Sequence, residues 1–125
     1  MKSLFISNKS EMPIYKQLYD QIVAQILNGE LKSESTLPSI RTMAKEIRVS
    51  VITIKKTWEE LEKNGYINTV PGRGSYVSSY TEESLVQTKN DLIRNIFEDD
   101  INQCKTLKIS KAEIIETIKN IYDLK

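Results

Sequence analysis

The stretch from Leu37 to Val77 leaves this chain few ways to fold. It holds two amphipathic segments set close together, each opened by a serine, and then a β pattern broken by Pro71-Gly72-Arg73-Gly74. Leu37-Pro38 forces extension, and Ser39 is a good N-cap for a helix to about Ile47. Ile40, Met43, Ala44 and Ile47 share one face of that helix, while Arg41, Lys45 and Arg48 look outward. Val49-Ser50 makes a tight turn, and Ser50 caps a second helix that runs to about Asn64. Its apolar stripe is Ile54, Trp58 and Leu61, with Val51 joining from the first turn. The opposite face carries Ile52, Thr53, Lys55 and Lys56, then Glu59, Glu60 and Glu62. Asn64-Gly65 ends the helix. Tyr66 to Val70 alternates as a strand, and Ser75-Tyr76-Val77 returns after the glycine-flanked turn. The order predicts a helix-turn-helix followed by a β-hairpin wing.

The flanks read as support. Residues 1–10 are an extended or frayed lead-in. Met12-Pro13-Ile14 opens a helix, with proline tolerated in its first turn. Ile14, Leu18, Ile22 and Ile26 recur at helical spacing, and Gly29 follows as a C-cap. Leu31 to Leu37 is a polar connector. After Tyr80, Thr81 caps a helix with Glu82 and Glu83 in its first turn, extending to about Cys104. Ser110 and Glu113 form a capping box for a last helix bearing Ile114, Ile115, Ile118 and Ile121. Two amphipathic helices in some 45 residues cannot bury both stripes alone. They must pack on the rest of the chain, on a second subunit, or on both, and a homodimer is the leading expectation. The fold class is therefore mainly α with a small β-hairpin. Residues 11–79 form a winged helix-turn-helix and residues 81–125 a helical dimerisation tail.

Composition removes whole classes of function. The chain has no histidine, so no His-based general base, triad or metal site is available. Its one cysteine, Cys104, excludes a Cys-rich zinc site and reads as a small apolar filler. Gly29, Gly65, Gly72 and Gly74 form no phosphate-cradling motif. No carboxylate pair stands out in an apolar setting, so no enzyme, cofactor or metal is expected. No apolar run is long enough to span a bilayer or serve as a signal peptide, which makes the cytoplasm the default location.

Net charge is +1, but it is unevenly spread. Residues 1–80 carry 11 Lys and Arg against 8 Asp and Glu (+3), and residues 81–125 carry 7 against 9 (−2). Between Ser39 and Thr57, Arg41, Lys45, Arg48, Lys55 and Lys56 face Glu46 alone. Cations in the first turn of a helix oppose its dipole. Arg41 in such a first turn, together with Lys55 and Lys56 in the early turns of a second helix whose later turns are acidic, therefore points to a polyanion partner, with solvated charge as the plainer alternative. Arg73 between two glycines can reach a phosphate or a narrow minor groove, unless the glycines serve the turn alone.

Several of these residues occur together in a known pattern. Leu37-Pro38-Ser39-x-Arg41, Met43-Ala44, Val49-Ser50, Thr53-Ile54, Leu61-Glu62-x-x-Gly65 and Gly72-Arg73-Gly74-Ser75-Tyr76-Val77 resemble the GntR family of bacterial winged-helix transcription regulators. Pro13-Ile14-Tyr15-x-Gln17-Leu18 fits as well, so the resemblance covers about residues 11–79. The short two-helix tail is similar to the YtrA subfamily. The resemblance implies a homodimeric repressor on an inverted-repeat operator in double-stranded DNA, often upstream of transporter genes. It places Arg41, Ser50, Thr53, Lys55, Gly72 and Arg73 at DNA-contacting positions. Lys56 is added from its place on the second helix. Val51 departs from the family, where arginine is common, so a base-reading arginine is missing. Two other readings stay open: a winged helix that docks an acidic protein, and a regulator gated by a small-molecule effector, although no polar constellation in 81–125 names a ligand.

Overall fold

The computed structural model describes residues 3–124; the first two residues of the lead-in and Lys125 of the tail lie outside them. Seven elements follow in order: α1 (Ile14–Leu27), α2 (Ile40–Ile47), α3 (Val51–Lys63), β1 (Ile67–Val70), β2 (Gly74–Val77), α4 (Glu82–Thr106) and α5 (Lys111–Tyr122). The chain divides into two compact units between Leu85 and Val86.

In the first unit α3 is the hub. It packs against α1, α2 and β1. Leu18, Ile22 and Ile26 of α1 meet Ile54, Trp58 and Leu61 of α3 in a core that also takes Met43, Ile67 and Val77. Each of these follows from helical or strand periodicity. Thr57 was not foreseen in the core, yet it is fully buried. Its hydroxyl donates to the Thr53 carbonyl at 2.9 Å, which removes the cost of burying it. Val51 corrects the expectation that it joins the stripe: it is 42 % exposed. It lies at the proper angle, but at the very start of the helix, where the buried stripe has ended.

The wing is a two-stranded antiparallel hairpin in which Ile67 faces Val77 and Val70 faces Gly74. The buried pair Ile67 and Val77 roots its base in the core. The connector before α2 does more than link. Leu37 N–H donates to the Ser75 carbonyl (2.9 Å) and Val77 N–H to the Ser35 carbonyl (2.8 Å). It thereby covers the outer edge of β2, which would otherwise present unpaired backbone groups.

The lead-in is extended and tied to α1. The Gln17 side chain accepts from Ser7 N–H (2.8 Å) and donates to the Ser7 carbonyl (3.0 Å). The Gln21 amide treats Phe5 in the same way. One helical turn rises about 5.4 Å, close to the advance of two extended residues, about 6.6 Å. Two glutamines four residues apart can therefore serve alternate residues of a strand.

The second unit contains the rest of α4 and all of α5. Ser110 caps α5 as expected, accepting from Glu113 N–H at 3.1 Å. No residue of α4 or α5 is buried. Ile93, Ile96, Phe97, Ile118 and Ile121 all stand exposed. No helix among the described residues is long and apolar enough to cross a membrane.

Candidate nucleic-acid interface

The two helices of the helix-turn-helix begin in the same way. Ser39-Ile-Arg-Thr42 and Ser50-Val-Ile-Thr53 repeat one capping pattern. Ser39 Oγ accepts from Thr42 N–H (3.1 Å), and Ser50 Oγ accepts from Thr53 N–H (3.1 Å). In each cap the serine and threonine hydroxyls also bond each other at 2.8 Å. The bond between Ser50 and Thr53 uses one of their two hydroxyl hydrogens and leaves the other able to donate outward. Both hydroxyls are thus held rigidly at the mouth of α3, beside the first-turn N–H groups that no helical carbonyl satisfies. Such a helix end favours an anion.

Between the helices, the chain turns on Arg48, which adopts the left-handed conformation (φ 57°). Val49 N–H then closes onto the Ala44 carbonyl at 3.0 Å. Glycine usually takes such a position. The sequence held no signal for this pivot, because arginine reads as an outward-facing helical residue.

The predicted residues fall on three elements. Arg41 is exposed in the first turn of α2. On α3, Ser50 and Lys55 are exposed and Thr53 is half-buried. Lys56 is exposed too, but its ammonium sits over the Tyr15 ring, 4.1 Å from the centroid. It is therefore drawn toward α1, a direction that helical spacing alone does not reveal.

Gly72 and Arg73 form the tip of the wing. Arg73 N–H donates to the Val70 carbonyl at 2.9 Å. Pro71 and Gly72 occupy the two central positions of that turn, and Gly72 has φ 78°. This is the type II arrangement, in which proline supplies the first corner and a positive φ the second. The Arg73 carbonyl accepts from the Tyr76 hydroxyl at 3.1 Å. The backbone of the tip is thus fixed from both sides while the Arg73 side chain remains exposed. Among the described residues, no group of three or more carboxylate or thiol side chains is arranged to hold a metal ion.

The family model for gntR-type bacterial regulatory proteins matches residues 14–77, from the start of α1 to the end of β2. The chain belongs to the gntR family. Its curated gntR-family relatives include the uncharacterized regulator YhcF of Bacillus subtilis, 35 % identical over 92 % of this chain and 94 % of that protein. The transcriptional repressor YtrA of the same organism is 33 % identical over 93 % of this chain and 89 % of its own length. The family is one of transcriptional regulators, not enzymes, and this member is YtrA-like. Among solved structures, a GntR-family regulator from Listeria monocytogenes superposes with a TM-score of 0.73 at 31 % identity, over 90 % of this chain and 97 % of that one. The DNA-binding domain of AraR, in complex with operator ORX1, superposes with a TM-score of 0.53 at 28 % identity, over 60 % of this chain and 93 % of that one.

Proposed function

We propose that this gntR-family regulator is a sequence-specific, double-stranded DNA-binding repressor. It acts in the cytoplasm as a homodimer on an inverted-repeat operator, with transporter genes among its targets. Residues 11–79 bind DNA and residues 81–125 pair two copies. The observation that carries this reading is the start of α3: a rigid hydroxyl cap followed by exposed Lys55, within the segment that the family model matches. The N-terminal residues of a recognition helix are the ones that meet base edges in the major groove.

In this mechanism Arg41, Ser50 and the first turn of α3 hold phosphates, while Thr53 and Lys55 reach base edges. Lys56 supports from the flank. Gly72 lets the backbone of the wing approach the duplex, and Arg73 enters the minor groove. Two copies set the two recognition helices about one helical turn of DNA apart. The bound dimer blocks polymerase.

Fluorescence anisotropy over a salt series tests this, using DNA from upstream of the protein's own gene and a scrambled duplex. A specificity ratio of ~10³ or more is the expected result. Equal and steeply salt-dependent binding to both duplexes would mean an operator elsewhere, a missing ligand, or a basic face that serves another partner.

A second reading concerns the tail. α4 and α5 flank a groove of about 680 Å³ lined by Ile93, Phe97, Ile101 and Ile118, with Asn90 and Arg94 among them. A small-molecule effector would fit such an apolar groove with a few polar groups. Thermal stabilisation across a compound panel would support that reading.

A further inference from the structure

Ile52 is 80 % exposed, more than any other large hydrophobic residue among the described residues of the N-terminal unit. It is the second residue of α3, two residues before Ile54, where the core stripe starts, and so about half a turn around the helix from it. Nothing in the protein's own packing uses it. A β-branched side chain also loses χ1 freedom in a helix, so local stability does not favour isoleucine there. Val51 beside it is exposed as well, and the pair forms a small apolar step between the Ser50 cap and Lys55.

The surroundings narrow what can cover this step. Arg41, Lys55 and the hydroxyl cap are exposed on the same two helices and favour a polyanion. An acidic protein surface also offers anionic and apolar groups, but residues 14–77, which carry this face, match the gntR family, and a neighbour at 28 % identity is solved in complex with its operator. The major groove of duplex DNA offers both, because thymine presents its C5-methyl group beside the phosphates. The sequence of the first turn, Val51-Ile52-Thr53-Ile54, fits the same picture: it holds no arginine to read guanine bidentately and presents two exposed aliphatic side chains instead.

We propose that Ile52 is a specificity-determining residue that reads a thymine C5-methyl group in each half-site, with Val51 closing one side of the contact. This rests on the DNA-binding reading above and adds to it the base and the atom recognised. It predicts a half-site with a required T·A pair at the position facing the start of α3, discriminated by apolar contact with the methyl group.

Deoxyuridine, which is thymine without that methyl, gives a direct test. The full-length protein is used to select duplexes from a random-sequence library. Each thymine of the selected half-site is then replaced in turn by deoxyuridine. One replacement should weaken binding about four-fold, the worth of one buried carbon. Ile52→Ala, which is altered in both subunits, should bind the thymine duplex at least as weakly as the wild type binds a duplex with that deoxyuridine in both half-sites, and should not distinguish the two. Ile52→Val should keep part of the discrimination, and neither variant should melt below the wild type because the side chain is exposed. A selected duplex in which no deoxyuridine replacement changes affinity, or in which Ile52→Ala still senses the methyl, overturns the proposal while leaving the regulator reading intact. Failure to enrich any sequence overturns both.

Discussion

At the scale of single residues, Trp58 shows how packing and polarity can pull apart. Its ring is buried against α1, but the buried Nε1–H finds no acceptor among the described residues. An unsatisfied buried donor costs about 1–3 kcal/mol. Trp58→Phe removes that donor and keeps most of the ring. It should therefore change stability by no more than about 1 kcal/mol, whereas Trp58→Ala should cost about 3–5 kcal/mol. Urea unfolding followed by far-UV circular dichroism checks both without the lost tryptophan signal. Arg73 has the opposite character, exposed on a rigid tip and unused by the fold. Arg73→Ala should leave the melting temperature unchanged and weaken operator binding, with the salt slope falling by about one per half-site. An unchanged affinity and slope would remove Arg73 from the interface.

At the scale of elements, the seam where α1 meets the end of α3 and the start of the wing depends on tyrosines. Tyr19 and Tyr66 meet edge to face, with ring centroids 6.1 Å apart, and the Tyr19 hydroxyl accepts from Asn64 Nδ2 at 2.9 Å. Burial raises both phenol pKa values above the ordinary 10.0. The Asn64 bond partly offsets this at Tyr19, while Asp20 and Glu60 add to it; at Tyr66 the Tyr19 phenol adds to it and Lys16 opposes it. The folded state therefore holds these protons more tightly than the unfolded chain. Below the ordinary value both states are protonated and the seam contributes in full. As pH rises past it, the unfolded chain ionises first and stability falls. Melting temperature should accordingly decline above about pH 10, and less steeply in Tyr66→Phe. The capping serines belong to this scale as well. Each was legible from a serine placed just before an apolar period, and replacing either by alanine removes a bond of the kind that contributes about 1 kcal/mol.

At the scale of the whole molecule, the tail leaves its apolar side chains uncovered. Ile93, Ile96, Phe97, Ile118 and Ile121 are all exposed, and contiguous apolar faces of this kind mark interaction sites. A second copy is the proposed partner. Ile96→Asp combined with Phe97→Asp should give a monomer by sedimentation. The first unit should stay folded, since its core lies within residues before Leu85. Operator affinity should drop by at least ~10²-fold as the second half-site is lost. A variant that remains dimeric would place the interface elsewhere.

Much of this protein is written in local sequence. Ser39, Ser50 and Ser110 mark the starts of their helices because a serine hydroxyl satisfies backbone N–H groups wherever it precedes a helical run. Pro71-Gly72 sets the wing turn because those two residues match its two dihedral pairs. The periodic stripes of α1, α2 and α3 named most of the core, and the motifs from Leu37 to Val77 named the family. What the tertiary structure decided depends on distant partners. Thr57 is buried where α3 packs on α1, its hydroxyl 3.4 Å from the Tyr15 carbonyl, and Val51 was left out because the stripe ended before it. Lys56 turned toward Tyr15, a ring 41 positions earlier in the chain. The lead-in lies extended because Gln17 and Gln21 stand where its backbone needs partners. Periodicity records the angle of a side chain on its own helix, but what that side chain meets depends on how the elements are brought together.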